Sequence, residues 1–192
     1  MQSKKFYISD LHFGHANVIK FDGRPFFTIN EMDQKLIDNW NQTVNPEDTV
    51  YILGDFCWLK EARWIEILDQ LKGQKNLILG NHDLQNPSKE LRSKFADISD
   101  YKEIEDKGRK VIMSHYPIMC YKSAYDSNVY MLYGHVHMTK EYDLVKQWTE
   151  QLRAAHTRPW DNLGQLYNVG CMLPYMDYRP RTFDEIISSR SD

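Results

Sequence analysis

Apolar positions follow two different periods along the chain. Short apolar runs rich in β-branched and aromatic residues have the length and make-up of strands: Phe6-Tyr7-Ile8, Thr49-Val50-Tyr51-Ile52-Leu53, Asn76-Leu77-Ile78-Leu79, Val111-Ile112-Met113, Val129-Tyr130-Met131-Leu132-Tyr133 and Leu166-Tyr167-Asn168-Val169. Between them apolar residues fall at helical spacing. Thr28 followed by Glu31 is a capping-box signature, after which Met32, Leu36, Trp40 and Val44 recur every fourth residue. A second helix is predicted over 60–72, with Trp64, Leu68 and Leu71 on one stripe and Gly73 as its stop. A short helix over 87–95 and a longer one over 143–155, with Leu144, Trp148, Leu152 and Ala155 inward, complete the pattern. Alternating strands and helices predict an α/β layer architecture. No repeat, low-complexity stretch or Gly/Ser linker divides the chain, so residues 1–192 read as a single domain.

Composition narrows the class. The 192 residues carry 24 Lys+Arg against 27 Asp+Glu, a formal net charge of −3, with 42% hydrophobic and 27% charged residues. These are the proportions of an ordinary globular protein, and they exclude disordered and collagenous chains. The near-neutral balance argues against non-specific nucleic-acid binding and leaves open only a narrow groove. Cys57, Cys120 and Cys171 are odd in number and form no C-x-x-C pair, which argues against a disulfide framework and for a reducing, cytoplasmic location. No apolar stretch follows Lys4 and Lys5 as in a signal peptide, and no run is long enough for a membrane span.

The chemistry is concentrated just past the strands. Asp10 and His12 follow the first, Gly54 and Asp55 the second, Gly80-Asn81-His82-Asp83 the third, His115 the fourth, and Gly134, His135 and His137 the fifth. In open α/β sheets ligands bind at the carboxyl edge. Histidine and carboxylate converging there are the donors of a transition-metal site. Asp10 and His12, two apart on extended chain, would leave on one face, and His135 and His137 repeat that spacing.

Taken in order, D-x-H, G-D, G-N-H-[DE], a single H and G-H-x-H form a pattern that resembles the calcineurin-like metallophosphoesterases. Here it reads Asp10-Leu11-His12, Gly54-Asp55, Gly80-Asn81-His82-Asp83, His115 and Gly134-His135-Val136-His137. The resemblance implies a four-layer α/β/β/α sandwich of two mixed sheets with helices outside. It also implies a two-metal site. Asp10, His12 and His137 would bind one ion, Asn81, His115 and His135 the other, and Asp55 would bridge them. The ions would most readily be Mn²⁺, with Fe, Zn or Ni compatible with the same donors. A hydroxide between the ions would attack phosphorus. His82 would face the substrate as general acid, with Asp83 orienting its imidazole.

The implied function is hydrolysis of a small phosphate ester, a phosphodiester such as a nucleotide or a phosphomonoester. The alternatives are a nuclease and a catalytically weak binding module, the latter expected to lack His82 or several ligands. Arg24, in a loop soon after His12, either forks onto a substrate phosphate or forms a salt bridge, and Arg158 and Arg179 are candidates of the same kind. Trp40, Trp64 and Trp148 read as core, Trp160 as part of a loop, Cys57 as a small packed residue, and His15 as a helix-start or pocket residue. Residues 138–165 separate the last motif from the final strand and are expected to be an insertion bordering the cleft that helps select the substrate.

Overall fold

The computed structural model describes residues 3–155 and 163–189. Arg158, Trp160 and part of the expected 138–165 insertion lie outside them. Two sheets form the centre. The first contains β1 (Lys5–Ile8), β2 (Thr49–Ile52), β3 (Gln74–Ile78), β4 (Asp97–Ser99) and β9 (Arg181–Thr182), in the order β4-β3-β2-β1-β9. Its four adjoining strands from β4 to β1 are parallel, and β9 runs antiparallel at the edge. The second holds β5 (Tyr101–Asp106), β6 (Arg109–Ser114), β7 (Val129–Tyr133) and β8 (Leu166–Asn168) in sequential order, antiparallel at β5–β6 and parallel thereafter. Both sheets are therefore mixed. Helices α1 (Ala16–Phe21), α2 (Ile29–Thr43), α3 (Glu61–Gln70), α4 (Lys89–Ser93), α5 (Lys140–Ala154) and α6 (Phe183–Ser188) flank them.

The alternation of side chains across β6 and β7 explains the layering. Val111, Met113 and Leu132 join Phe6, Ile8, Val50 and Ile52 in one large core that α2 and α3 also enter. Ile112, Met131 and Tyr133 point the other way, into a second cluster with Tyr121, Leu166 and Val145 of α5. One sheet face meets the other sheet and the opposite face meets helix, which is the expected four-layer arrangement.

In α2 the stripe Met32, Leu36, Trp40 and Val44 is buried, and the Thr28 hydroxyl accepts the Glu31 N–H at 3.2 Å. In α5 the inward face differs from the one expected. Leu144 is 63% exposed, whereas Val145 and Thr149 are buried. Thr149 can be buried because its hydroxyl donates to the Val145 carbonyl at 2.7 Å, so its polarity is spent locally. The segment around α5 also serves as a chain connection. Strands β7 and β8 are parallel neighbours. Such a pair needs a crossover of a dozen or more residues, usually helical. Helix α5 is that crossover, packed on the outer face of the second sheet.

Candidate metal centre

The loops that leave β1, β2, β3, β6 and β7 at their carboxyl ends close on one another. Asp10 N–H donates to the Gly54 carbonyl at 3.0 Å, His12 N–H to that of Asp55 at 2.9 Å, and Gly134 N–H to that of His115 at 2.9 Å. The two sheets meet here as well, through a bridge between Ser9 and Gly170. Asp10, His12, Asp55, His135 and His137 all have positive φ, between 46° and 70°. Non-glycine residues rarely adopt that conformation, and it persists where surrounding structure over-determines it, typically at functional sites. The common face expected from extended chain is thus reached by left-handed kinks. Gly134 shows how tight the closure is: a Cβ there would lie 2.5 Å from Ser9 Oγ and 2.6 Å from Asp10 Oδ2.

Two donor sets result. Ligand atoms of Asp10, His12, Asp55 and His137 lie within 4.8 Å of one another, and so do those of Asp55, His115 and His135. Asp55 belongs to both. His12 Nε2 stands 3.5 Å from Asp55 Oδ2 and 3.3 Å from His137 Nε2, and His137 Nε2 is 3.6 Å from Asp10 Oδ1. In the second set His115 Nε2 lies 3.6 Å from Asp55 Oδ2 and 3.0 Å from Asn81 Oδ1. Asn81 and His82 are exposed, while Asp10, His12, Asp55, His115 and His137 are buried, so the site opens to solvent on the Asn81–His82 side.

The outer contacts decide which ring nitrogens point inward. His115 Nδ1 meets the Leu53 carbonyl at 2.8 Å; a carbonyl only accepts, so Nδ1 carries the proton and Nε2 offers its lone pair to the site. His137 Nδ1 likewise donates to the Asp22 carboxylate at 2.8 Å, which turns its Nε2 inward. Burial lowers the His137 pKa, but the hydrogen bond to Asp22 and the Asp10 carboxylate outweigh it and leave the pKa raised. His12 is driven far down by burial, with further lowering from His137 and Arg24, so it is a neutral donor. Burial and then the neighbouring His115 also lower His135. Asp55 is raised, chiefly by burial and also by Asp10, while His115 pulls the other way. Imidazole nitrogens and buried carboxylates converging in this way are a donor set suited to divalent cations.

Two expected roles change. Arg24 is buried, and its guanidinium is committed to Asp22 at 2.9 Å and to the carbonyls of Leu11 and Asp10 at 3.0 and 2.8 Å. It has no donor left over for a substrate phosphate; it secures the Asp10 loop and Asp22 from behind. Asp83 does not orient the His82 ring. Its two oxygens accept the N–H groups of Asp55, Phe56 and Gly80 at 3.0, 2.8 and 2.8 Å, tying the second and third loops together. Burial pushes its carboxyl up to about 6, against the pull of those backbone hydrogen bonds. Arg179 pairs with Asp177 at 2.7 Å.

Several contributors escape a reading of the sequence. Asp22 holds His137, and Ser9 donates to Asp10 Oδ2 at 2.6 Å. Trp58, 48% exposed, lies against His82, and Tyr116, also 48% exposed, lies against His135. The only signal available for Asp22 was an acid two residues from Arg24 in the same loop. Ser9 merely adjoins Asp10, and Trp58 stands three residues past Asp55.

Comparison with known proteins agrees with this architecture. The family model described as the calcineurin-like phosphoesterase superfamily domain matches residues 4–159. The chain belongs to that superfamily. It is 39% identical over 142 residues to the uncharacterized protein MJ1445 of Methanocaldococcus jannaschii, covering 71% of this chain and 72% of that one. It is 29% identical over 160 residues to the Gene 66 protein of Mycobacterium phage D29, covering 70% and 79% respectively. Among solved structures, a protein of unknown function from Aquifex aeolicus, AQ665, superposes with a TM-score of 0.70 at 27% identity, over 98% of this chain and 100% of its own.

Proposed function

We propose that this protein hydrolyses small phosphate esters with two divalent cations. Asp10, His12 and His137 would hold one, Asn81, His115 and His135 the other, and Asp55 both. The observation that carries the reading is Asp55, a buried carboxylate common to two separate donor sets. Such a shared anion offsets the mutual repulsion of two cations held about 3.5–4 Å apart. When bound, the cations lower the pKa of a water to near neutrality and neutralise charge on the phosphoryl oxygens. Mn²⁺ is the metal expected first, with Fe, Zn and Ni competing for the same mixed donors.

The chain's own residues supply the rest. Asp10 and Asp55 present their carboxylates inward, and Asp22 and the Leu53 carbonyl hold imidazole protons outward. His82 belongs to neither donor set. Its ring stands 5.9 Å from that of His12 on the open side, where a leaving oxygen would depart. It serves as the general acid that donates a proton to that oxygen. The substrate is a phosphodiester of nucleotide class or a phosphomonoester. The three unpaired cysteines support a cytoplasmic setting. Among the described residues no helix is long and apolar enough to cross a membrane.

The test uses Mn²⁺-loaded protein with bis-p-nitrophenyl phosphate and p-nitrophenyl phosphate. Turnover of at least one is expected; turnover of neither would turn the reading toward a binding module. His82→Ala should keep both metals by elemental analysis and lose about 10²–10⁴-fold in kcat. Unchanged kcat would remove His82 from the chemistry.

A further inference from the structure

The His82 imidazole must be aimed, and its expected partner is occupied elsewhere. Asp83 spends both oxygens on backbone N–H groups, and among the described residues no hydrogen bond holds the exposed His82 ring. What touches that ring is an indole. Trp58 lies with its centroid 4.5 Å from the His82 ring at an interplanar angle of 54°. Trp58 also stacks on His15 at 4.2 Å and 11°, and His15 is in turn met edge-on by Phe21 at 5.7 Å.

We propose that Trp58, backed by His15, is the positioning residue that sets the His82 imidazole for proton donation. The inference rests on the reading of His82 given above.

The chain delivers the indole there by continuing strand-like pairing beyond β1 and β2. Phe13 and Cys57 form a parallel bridge, Phe13 N–H donates to the Phe56 carbonyl at 3.0 Å, and Trp58 N–H donates to that of Phe13 at 2.9 Å. The two loops are locked side by side by Leu59, which fills the space a side chain at position 14 would need: a Cβ on Gly14 would come within 2.2 Å of Leu59 Cγ. Gly14 has φ +76°, and its N–H donates to both oxygens of Asp33 at 3.1 Å. Trp58 therefore sits at a fixed place on paired backbone, with the His82 and His15 rings both in contact with its indole. A rigid aromatic with two χ angles restricts a neighbouring imidazole sterically where no hydrogen bond does so. Half of the Trp58 surface stays exposed.

Misaiming a reacting group by about 1 Å can cost on the order of 10²-fold. In Mn²⁺-loaded protein, Trp58→Ala and Trp58→Leu should lower kcat by about ten- to a hundredfold with KM and bound metal unchanged. The loss should be larger for an alkyl phosphate ester than for a p-nitrophenyl ester, because a poor leaving group needs the proton and a good one does not. Trp58→Phe should recover much of it. In metal-free protein, NMR signals of the His82 ring, assigned by their loss in His82→Ala, should show a ring-current shift that disappears in Trp58→Ala and Trp58→Leu and persists in part in Trp58→Phe.

A raised KM at constant kcat would make Trp58 a substrate contact and overturn the proposal, as would equal losses for both leaving groups. His82→Ala inactive while Trp58→Ala is fully active would overturn the positioning role alone. Full turnover in His82→Ala would overturn the reading of His82 and this inference with it.

Discussion

At the centre of the donor sets, Asp55 faces His12 on one side and His115 on the other, at 3.5 and 3.6 Å. Its replacement by Asn should weaken binding of both ions together, which calorimetric titration with Mn²⁺ would show as loss of both binding events. Asp22 serves one side only. Asp22→Asn removes the carboxylate that accepts the His137 Nδ1 proton, and the ion held by Asp10, His12 and His137 should bind about 10–100-fold more weakly, with the second little changed. Equal weakening of both would contradict the assignment of His137. The identities of the inward-facing residues were legible in the motifs. The groups behind them were not, because a hydrogen bond from residue 137 to residue 22, or from residue 115 to residue 53, leaves no periodic mark on a sequence.

Among the elements, α2 and α3 were readable because each buries one apolar stripe. Trp40 is buried, and its indole N–H donates to the Lys72 carbonyl at 2.9 Å, tying α2 to the end of α3. Trp40→Ala should cost about 3–5 kcal/mol, measured as a lowered urea midpoint, since it leaves a cavity and an unpaired carbonyl. The α5 stripe was misread by one position because a buried threonine looks polar until its hydroxyl is seen bonded to its own helix. Strand β5, Tyr101–Asp106, carries no apolar run at all. It is an edge strand, and charged side chains are what an edge uses to stay unpaired. Helix α6 is short but starts with a full capping box between Thr182 and Glu185. Its six residues were too few for periodicity to reveal.

For the molecule as a whole, stability should depend on pH through Asp33, which anchors the Gly14 loop. Burial pushes its carboxyl up to about 6, against the pull of the Gly14 hydrogen bond. An unfolded aspartate ionises near about 3.9. Between those values the folded chain holds a proton that the unfolded chain has lost. The contribution of Asp33 to the stability of the metal-free protein should therefore fall as pH rises from about 4 to about 6 and level off above, while the lowered His12 and His135 act in the opposite direction across the same window. Asp83, raised to about 6 as well, acts in the same direction as Asp33. Urea unfolding across that window should show the wild type losing stability relative to Asp33→Asn, whose amide oxygen still accepts the Gly14 N–H. A difference between the two proteins that stays constant with pH would refute the account.

The sequence by itself determined the α/β class, the strands that carry the site and the residue types at their carboxyl ends, because these follow from local periodicity and from motifs a few residues long. Only the tertiary structure decided that Arg24 is walled in beneath Asp10, that Asp83 ties loops and does not aim His82, that helix α5 lies between two parallel strands, and that an indole reaches the imidazole of His82. Each depends on how two sheets and their loops close on one another. That closure is set by packing between segments far apart in the chain, and no window along the sequence contains both sides of it.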